Sequence, residues 1–164
     1  IHRGIFMHEL YDAYISSTAL EKAEKLFETA AKQYLEALGL LVGNVYSHKG
    51  KEYVLVENFI TAKNLPTAVS VKFTKESFSE LTKAYMQHFK EKKIIVGWIH
   101  SHPTYGCFLS QTDINTQKRF FSAPFNIAMV VDPMRHQNGR MQERVFRVNA
   151  NGYYEISFCI YDKK

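Results

Sequence analysis

The run Ile94-Ile95-Val96-Gly97-Trp98-Ile99 is almost continuously apolar and ends on two histidines one residue apart, His100 and His102. Its length and its β-branched content are those of a central β-strand buried on both faces. A strand of that kind needs neighbours on both edges, so the run constrains the rest of the chain more than any other feature. The period of two along a strand also puts His100 and His102 on one face at its end.

The flanking sequence supplies helices and more strands. Thr18 followed by Glu21 reads as a capping box. Leu20, Ala23, Phe27, Ala30 and Tyr34 then recur at helical spacing, with Glu21–Lys25 and Glu28–Lys32 pairs outside, which predicts an amphipathic helix over 18–34. Residues 38–46 and 53–60, around the turn signal Ser47-His48-Lys49-Gly50, predict a hairpin. The alternation Val69, Val71, Phe73 predicts a short strand, and Thr74 then caps a helix with Phe78, Leu81, Tyr85 and Phe89 on one face. Ser110 opens a helix that runs through Phe121, with Asp113 in the capping position. Three strands, over 126–131, 143–148 and 153–161, are separated by the tight-turn pairs Asn138-Gly139 and Asn151-Gly152.

No repeat, low-complexity tract or linker interrupts this order, and 164 residues with 46% apolar content suit one domain over residues 1–164. No apolar stretch approaches the roughly 18 residues of a membrane span, and residues 1–10 lack the apolar core of a secretory signal. Membrane contact is therefore not expected. Cys107 and Cys159 form no CxxC pair, which argues against a disulfide framework and a thiolate zinc site and points to a reducing, cytoplasmic compartment. The formal charge of +5 is spread through the chain, and Arg135, Arg140, Arg144 and Arg147 near the last hairpins read as solvated surface. With no zinc finger, RNP or helix-turn-helix pattern, nucleic acid is not an expected partner.

Two histidines at this spacing are by themselves a weak metal signal, because surface and hydrogen-bonded core histidines share it. A third ligand is at hand if a sharp loop over 103–106 returns Asp113 to the strand's end. Three N/O ligands leave one tetrahedral position open, the arrangement of catalytic zinc sites. Taken alone, Asp113 reads better as a carboxylate favoured by a helix N-terminus. Spacing leaves both readings open.

Taken together, His100-Ser101-His102-Pro103 and Leu109-Ser110-Gln111-Thr112-Asp113 resemble the JAMM motif of the MPN+ metalloprotease family: His-x-His-Pro, seven residues between the second His and Ser, then x-x-Asp. Every defining position is filled. Glu36, before Ala37-Leu38-Gly39-Leu40-Leu41-Val42-Gly43, matches the family's upstream Glu. Asp113-Ile114-Asn115-Thr116-Gln117 and Val130-Val131-Asp132-Pro133 are similar to the flanking segments of proteasome-lid and signalosome deubiquitinases. Ile99, Thr104 and Phe108 depart from the usual Tyr, Gly and Trp. The resemblance covers about residues 13–152.

The resemblance implies an α/β fold with a curved mixed β-sheet flanked by helices, of cytidine-deaminase-like MPN architecture. It implies Zn2+ held by His100, His102 and Asp113, Glu36 as general base and then acid, and Ser110 as a hydroxyl that stabilises the oxyanion. The activity it implies is an isopeptidase that cuts between the C-terminal glycine of ubiquitin or a ubiquitin-like protein and a lysine. The partners it brings are those conjugates, the proteasome and a second MPN subunit. The alternative is a scaffold domain active only, or not at all, within a larger complex. Residues 61–70 fall where relatives carry an insertion that pairs with the modifier's tail as an added strand. Other chemistries fit less well: a cupin would be nearly all-β, a nucleobase deaminase needs His-x-Glu and Pro-Cys-x-x-Cys, and a Cys107 nucleophile would have to borrow a histidine from the metal set.

Overall fold

The computed structural model describes residues 10–62, 73–87 and 92–162. In chain order these form β1 (Ala13–Ser16), α1 (Ser17–Ala31), β2 (Leu38–His48), β3 (Lys51–Ile60), α2 (Lys75–Met86), β4 (Ile94–Ser101), α3 (Gln111–Phe120), β5 (Ile127–Gln137), β6 (Arg140–Asn149), β7 (Gly152–Ile156) and β8 (Phe158–Tyr161). The strands make one mixed sheet in the order β7-β6-β5-β4-β2-β3-β1-β8. β4 is central, antiparallel to β2 with Leu38 opposite His100, and parallel to β5 with His100 opposite Val130.

The sheet buries both faces, as the apolar run of β4 requires. On one face Ile99, Leu41, Val56 and Met129 meet Ala23, Phe27 and Ala30 of α1. On the other, Trp98, Leu40 and Val130 meet Leu81 of α2 and Leu109 and Phe121 around α3. Gly97 interrupts the apolar run for a steric reason, since a Cβ there would collide with the Ile127 carbonyl of β5. The hairpin of β2 and β3 closes on Lys49-Gly50, both at positive φ (50° and 79°), a two-residue turn whose twist matches that of the strands.

Several expectations shift. The cap of α1 is Ser16, whose side chain accepts from the Ala19 N–H, so Thr18 lies exposed in the first turn. The helix stops at Ala31, and Tyr34, at φ 55°, stands outside it and is exposed. The reason is that β1 feeds directly into α1, and the chain must turn after Ala31 to bring residues 36–38 alongside β4. The predicted strand over 153–161 breaks at Ser157 into β7 and β8. Phe73 is not in a strand; it is buried among the rings of Phe78, Trp98, Phe120 and Phe121. Val69, Val71, Phe89 and nearly all of the 61–70 segment lie outside the described residues.

β7 and β8 stand at opposite ends of the strand order although Ser157 alone separates them, so the sheet curves until its edges almost meet, nearly a barrel. Asp12 latches this seam. Its N–H donates to the Ser157 hydroxyl (3.0 Å), and its carboxylate accepts from the Ser157 N–H (3.1 Å) and O–H (3.0 Å). Lys51 lies 3.5 Å from the same carboxylate.

Burial pushes the Asp12 carboxyl up, but the Ser157 hydrogen bonds and the charges of Lys51 and Arg147 outweigh it and hold the group below the usual carboxylate range. A carboxyl held below its unfolded value contributes stability above that value and loses it as pH falls through the folded one. A Ser157→Ala variant is expected to lose about 1 kcal/mol at neutral pH. Urea unfolding should show that deficit shrinking as pH falls below the carboxylate range; a deficit that stays constant would place the latch elsewhere.

Candidate metal centre

Three local structures converge at the C-terminal end of β4. The strand itself delivers His100, and the His102 N–H donates to the Val131 carbonyl (2.9 Å), which carries the pairing with β5 one step further. The start of β2 is tied to the same end: the Ser101 N–H donates to the Ala37 carbonyl and the Ala37 N–H donates to the Ser101 hydroxyl, each at 3.0 Å. This tie sets Glu36 beside His102. The loop over 103–106 then folds back, and Ser110 caps α3 in a reciprocal box: its hydroxyl accepts from the Asp113 N–H (3.1 Å) while the Asp113 carboxylate accepts from the Ser110 N–H (2.9 Å).

The result places four of the sequence-derived residues face to face. His100 Nε2 and His102 Nε2 are 2.9 Å apart, and each is 3.3 Å from Asp113 Oδ2. Glu36 Oε1 lies 3.6 Å from His102 Nε2. All four side chains are buried. Ser110, half-buried, joins them through its hydrogen bonds to Asp113.

Supporting contacts orient both rings. His102 Nδ1 is 3.2 Å from the Gly106 carbonyl, so Nδ1 carries the proton and Nε2 is left to face Asp113. The ring of His100 stacks on Trp98 at 4.4 Å and 9°. Trp98 Nε1 donates to Gln117 (2.6 Å), whose own amide donates to the Asn126 carbonyl (3.2 Å). Trp98 thus packs the core, as its sequence context suggests, and also sets the His100 plane.

The electrostatics favour a cation. Burial would raise the Asp113 carboxyl, but the charge and hydrogen bond of His100, with hydrogen bonds from His102 and the Ser110 N–H, hold it far below the usual carboxylate range. Burial would lower His102, but the hydrogen bond and charge of Asp113 and the charge of Glu36 outweigh it and raise the imidazole. With His102 Nδ1 committed to Gly106, a lone pair at Nε2 faces a carboxylate oxygen and a second imidazole nitrogen. A cation satisfies all three atoms at once. The separations of 2.9–3.3 Å also compare with the edge of a tetrahedron built on bonds of about 2.0–2.1 Å, about 3.3 Å. The His-His-Asp trio is therefore placed for metal binding.

The described residues that the sequence sets apart from the centre do stand apart from it. Cys107 donates its thiol to the Gln142 carbonyl and burial pushes it up to about 11, so it is not a thiolate nucleophile. Arg135, Arg140 and Arg144 are paired with Asp132, with Glu24 and Glu143, and with Glu155. His48 and His136 are exposed, and His88 lies outside the described residues. Sequence reasoning gave Gly106 only the shaping of the turn after the histidines and Asp132 only a place in a flanking segment of the motif. A buried Asp-Pro after the apolar run Ile127-Ala128-Met129-Val130-Val131 was the available signal, because a carboxylate in that setting must be saturated by donors.

No helix among the described residues is long and apolar enough to cross a membrane. The family described as JAB1/Mov34/MPN/PAD-1 ubiquitin protease matches residues 8–123, a span that holds Glu36, His100, His102, Ser110 and Asp113. Ubiquitin carboxyl-terminal hydrolase RPN11 of Saccharomyces cerevisiae is 33% identical over 143 residues, covering 85% of this chain and 44% of that protein. 26S proteasome non-ATPase regulatory subunit 14 of Drosophila melanogaster is 34% identical, over 84% of this chain and 44% of its own length. COP9 signalosome complex subunit 5 of Candida albicans is 31% identical, over 85% and 23%. The chain spans less than half the length of these curated relatives. Protein DSY2949 of Desulfitobacterium hafniense, solved in solution, shares the fold with a TM-score of 0.69 at 19% identity, over 92% of this chain and 94% of that one. With its motif, its curved mixed sheet and a match over most of its length, the chain belongs to the JAB1/Mov34/MPN/PAD-1 family.

Proposed function

We propose that the protein is a zinc-dependent isopeptidase that hydrolyses the bond between the C-terminal glycine of ubiquitin or a ubiquitin-like protein and a lysine side chain. One observation carries this reading: three buried ligand atoms, from His100, His102 and Asp113, lie within 4.8 Å of one another with the Glu36 carboxylate beside them. The substrate class is supported by the RPN11 relative described as a ubiquitin carboxyl-terminal hydrolase. The proteasome and signalosome subunits among the relatives support work beside such an assembly or a second subunit of the family, and a cytoplasmic location agrees with both cysteines being free thiols.

Two imidazoles and one carboxylate are the ligand chemistry and number of a catalytic zinc site. Zinc held by His100, His102 and Asp113 would supply Lewis acidity and would bring water's pKa down towards about 7. Glu36 takes a proton from the attacking water and returns it to the leaving lysine amine, one carboxylate serving both steps. The Ser110 oxygen accepts from the Asp113 N–H, which leaves its O–H available to donate to the oxyanion that develops on the glycine carbonyl. Asp113 stays ionised throughout, because the imidazoles and the Ser110 N–H hold its carboxyl low. The rim is aromatic, with Tyr105 and Phe108 exposed beside His102, and a glycine-ending tail suits a buried centre behind such a rim.

Elemental analysis is expected to find about one zinc per chain in the wild type and none in a His100→Ala/His102→Ala variant. Equal zinc in both would end the assignment. A Glu36→Gln variant should keep its zinc and its fold while losing at least about 10²-fold in turnover on an isopeptide-linked conjugate; turnover near wild type would move the base to another carboxylate. Replacing the terminal Gly-Gly of the modifier with Ala-Ala should slow cleavage sharply without changing zinc content. A zinc-loaded chain that leaves a panel of ubiquitin-like conjugates intact by mass spectrometry would favour the scaffold reading instead.

A further inference from the structure

We infer that Asp132 is a positioning residue that holds His102 in the tautomer and orientation metal binding requires, acting through the loop over 103–106; the inference rests on the metal-centre reading above. The hydrogen bonds of the Asp132 carboxylate go to backbone N–H groups and not to a ligand side chain. Asp132 is fully buried, at the point in β5 where the register with β6 shifts. A buried carboxylate is unfavourable unless donors saturate it, and here four do. Oδ1 accepts from the N–H groups of Thr104 and Met134, each at 3.0 Å. Oδ2 accepts from the Gly106 N–H (2.8 Å) and lies 3.3 Å from Arg135 Nε.

Two of those donors belong to the loop that joins His102 to Ser110, and that loop is strained. Thr104 sits at φ 74°, in the left-handed region that a β-branched side chain disfavours. Such a conformation persists only where the surroundings over-determine it. Here Asp132 holds the Thr104 N–H and Arg135 donates to the Thr104 carbonyl (2.9 Å), so both ends of the strained residue are gripped by one ion pair.

The grip reaches the metal centre through Gly106. Its N–H is fixed by Asp132, and its carbonyl accepts from His102 Nδ1. Gly106 is at φ 81°, a conformation open to glycine, and fixing one side of the residue aims the other. The chain of contacts therefore runs from the Asp132 carboxylate to the Gly106 backbone, to His102 Nδ1, and so to the lone pair at Nε2. Removing the partner that orients a ligating histidine weakens metal binding.

The test compares zinc affinity, by competition with a chromogenic chelator, in wild type, Asp132→Asn and the double variant Asp132→Asn/Thr104→Gly. Asparagine turns one carboxylate oxygen into an NH2 group, which faces N–H donors it cannot accept from. Zinc affinity should fall by about 10- to 100-fold with the circular dichroism spectrum unchanged. The His102 Nδ1 proton of the zinc-loaded protein should exchange with water faster by NMR. Glycine at 104 adopts positive φ without strain, so the double variant should recover part of the lost affinity, which a general loss of packing would not allow. A folded Asp132→Asn variant with wild-type affinity and wild-type exchange at His102 overturns the inference. A wild type that binds no zinc overturns the metal reading itself and is thereby told apart. Should Asp132→Asn fail to fold, Arg135→Ala, at a half-exposed side chain, loosens the same grip; a drop in affinity supports the inference and an unchanged value overturns it.

Discussion

β4 is hydrogen-bonded on both edges, to antiparallel β2 and to parallel β5, and the register of those two ladders decides where every group of the centre stands. With Leu38 opposite His100, the residue two places earlier on the β2 side is Glu36, level with His102. With Val131 opposite Ser101, and its carbonyl bonded to the His102 N–H, the next residue on the β5 side is Asp132. The proposed base and the loop's anchor thus flank one imidazole because two strands of different direction are pinned to one between them. A slip of one residue in either ladder would turn His100 towards the α1 face and send its neighbours to the wrong side. Gly97, which admits the Ile127 carbonyl, keeps the β5 ladder close enough to avoid it.

That arrangement places Glu36, His100, His102, Asp113, Gln117, Asn126 and Asp132 inside the molecule. Burying so many polar groups is tolerable only because nearly all are saturated: Asp132 by N–H groups of its own loop, Gln117 by Trp98 and the Asn126 carbonyl, Asp113 by the helix it caps. Gln142 Oε1, Glu143 Oε2 and Arg147 Nε, all on β6, are buried without a hydrogen-bond partner, and one such atom lies in the centre itself. His100 Nδ1 is buried without a hydrogen-bond partner, and Thr104 holds an unfavourable φ.

The parts of this structure legible in the sequence are those whose physics is local. Period and apolarity exposed β4, the β2–β3 hairpin and the buried face of α1, while the family resemblance singled out His100, His102, Ser110 and Asp113, which the fold brings together. What stayed hidden depends on contacts distant in sequence. β1 is four residues long, too short for a period, and exists because β3 and β8 pair with it. The break at Ser157 was invisible because Tyr153 to Tyr161 reads as one β-rich run; the edge-to-edge meeting with Asp12, 145 residues away, divides it. Thr18 and Glu21 carry the residue types of a capping box, yet the cap sits two residues earlier because β1 delivers Ser16 to it. Glu36 needed the family resemblance, since nothing in its neighbourhood distinguishes it from a surface carboxylate until the Ala37–Ser101 tie folds it inward.

Asp113 shows why spacing could not choose between a helix-capping and a ligand reading. In the folded chain both are one piece of electrostatics. The carboxylate stands in the first turn of α3, where the helix dipole and the Ser110 N–H favour negative charge, and its Oδ2 is the same atom that faces His100 and His102. The forces that make it a good cap keep it ionised when buried, and a metal ligand must be ionised in just that setting. Ser110 is doubled in the same way, its oxygen capping the helix while its proton is left to donate. A short helix of ten residues is held at its N-terminus by the groups that the proposed chemistry uses, so the centre is oriented by secondary structure and not by a flexible loop. The one loop that does intervene, between His102 and Ser110, is the segment that Asp132 and Arg135 clamp.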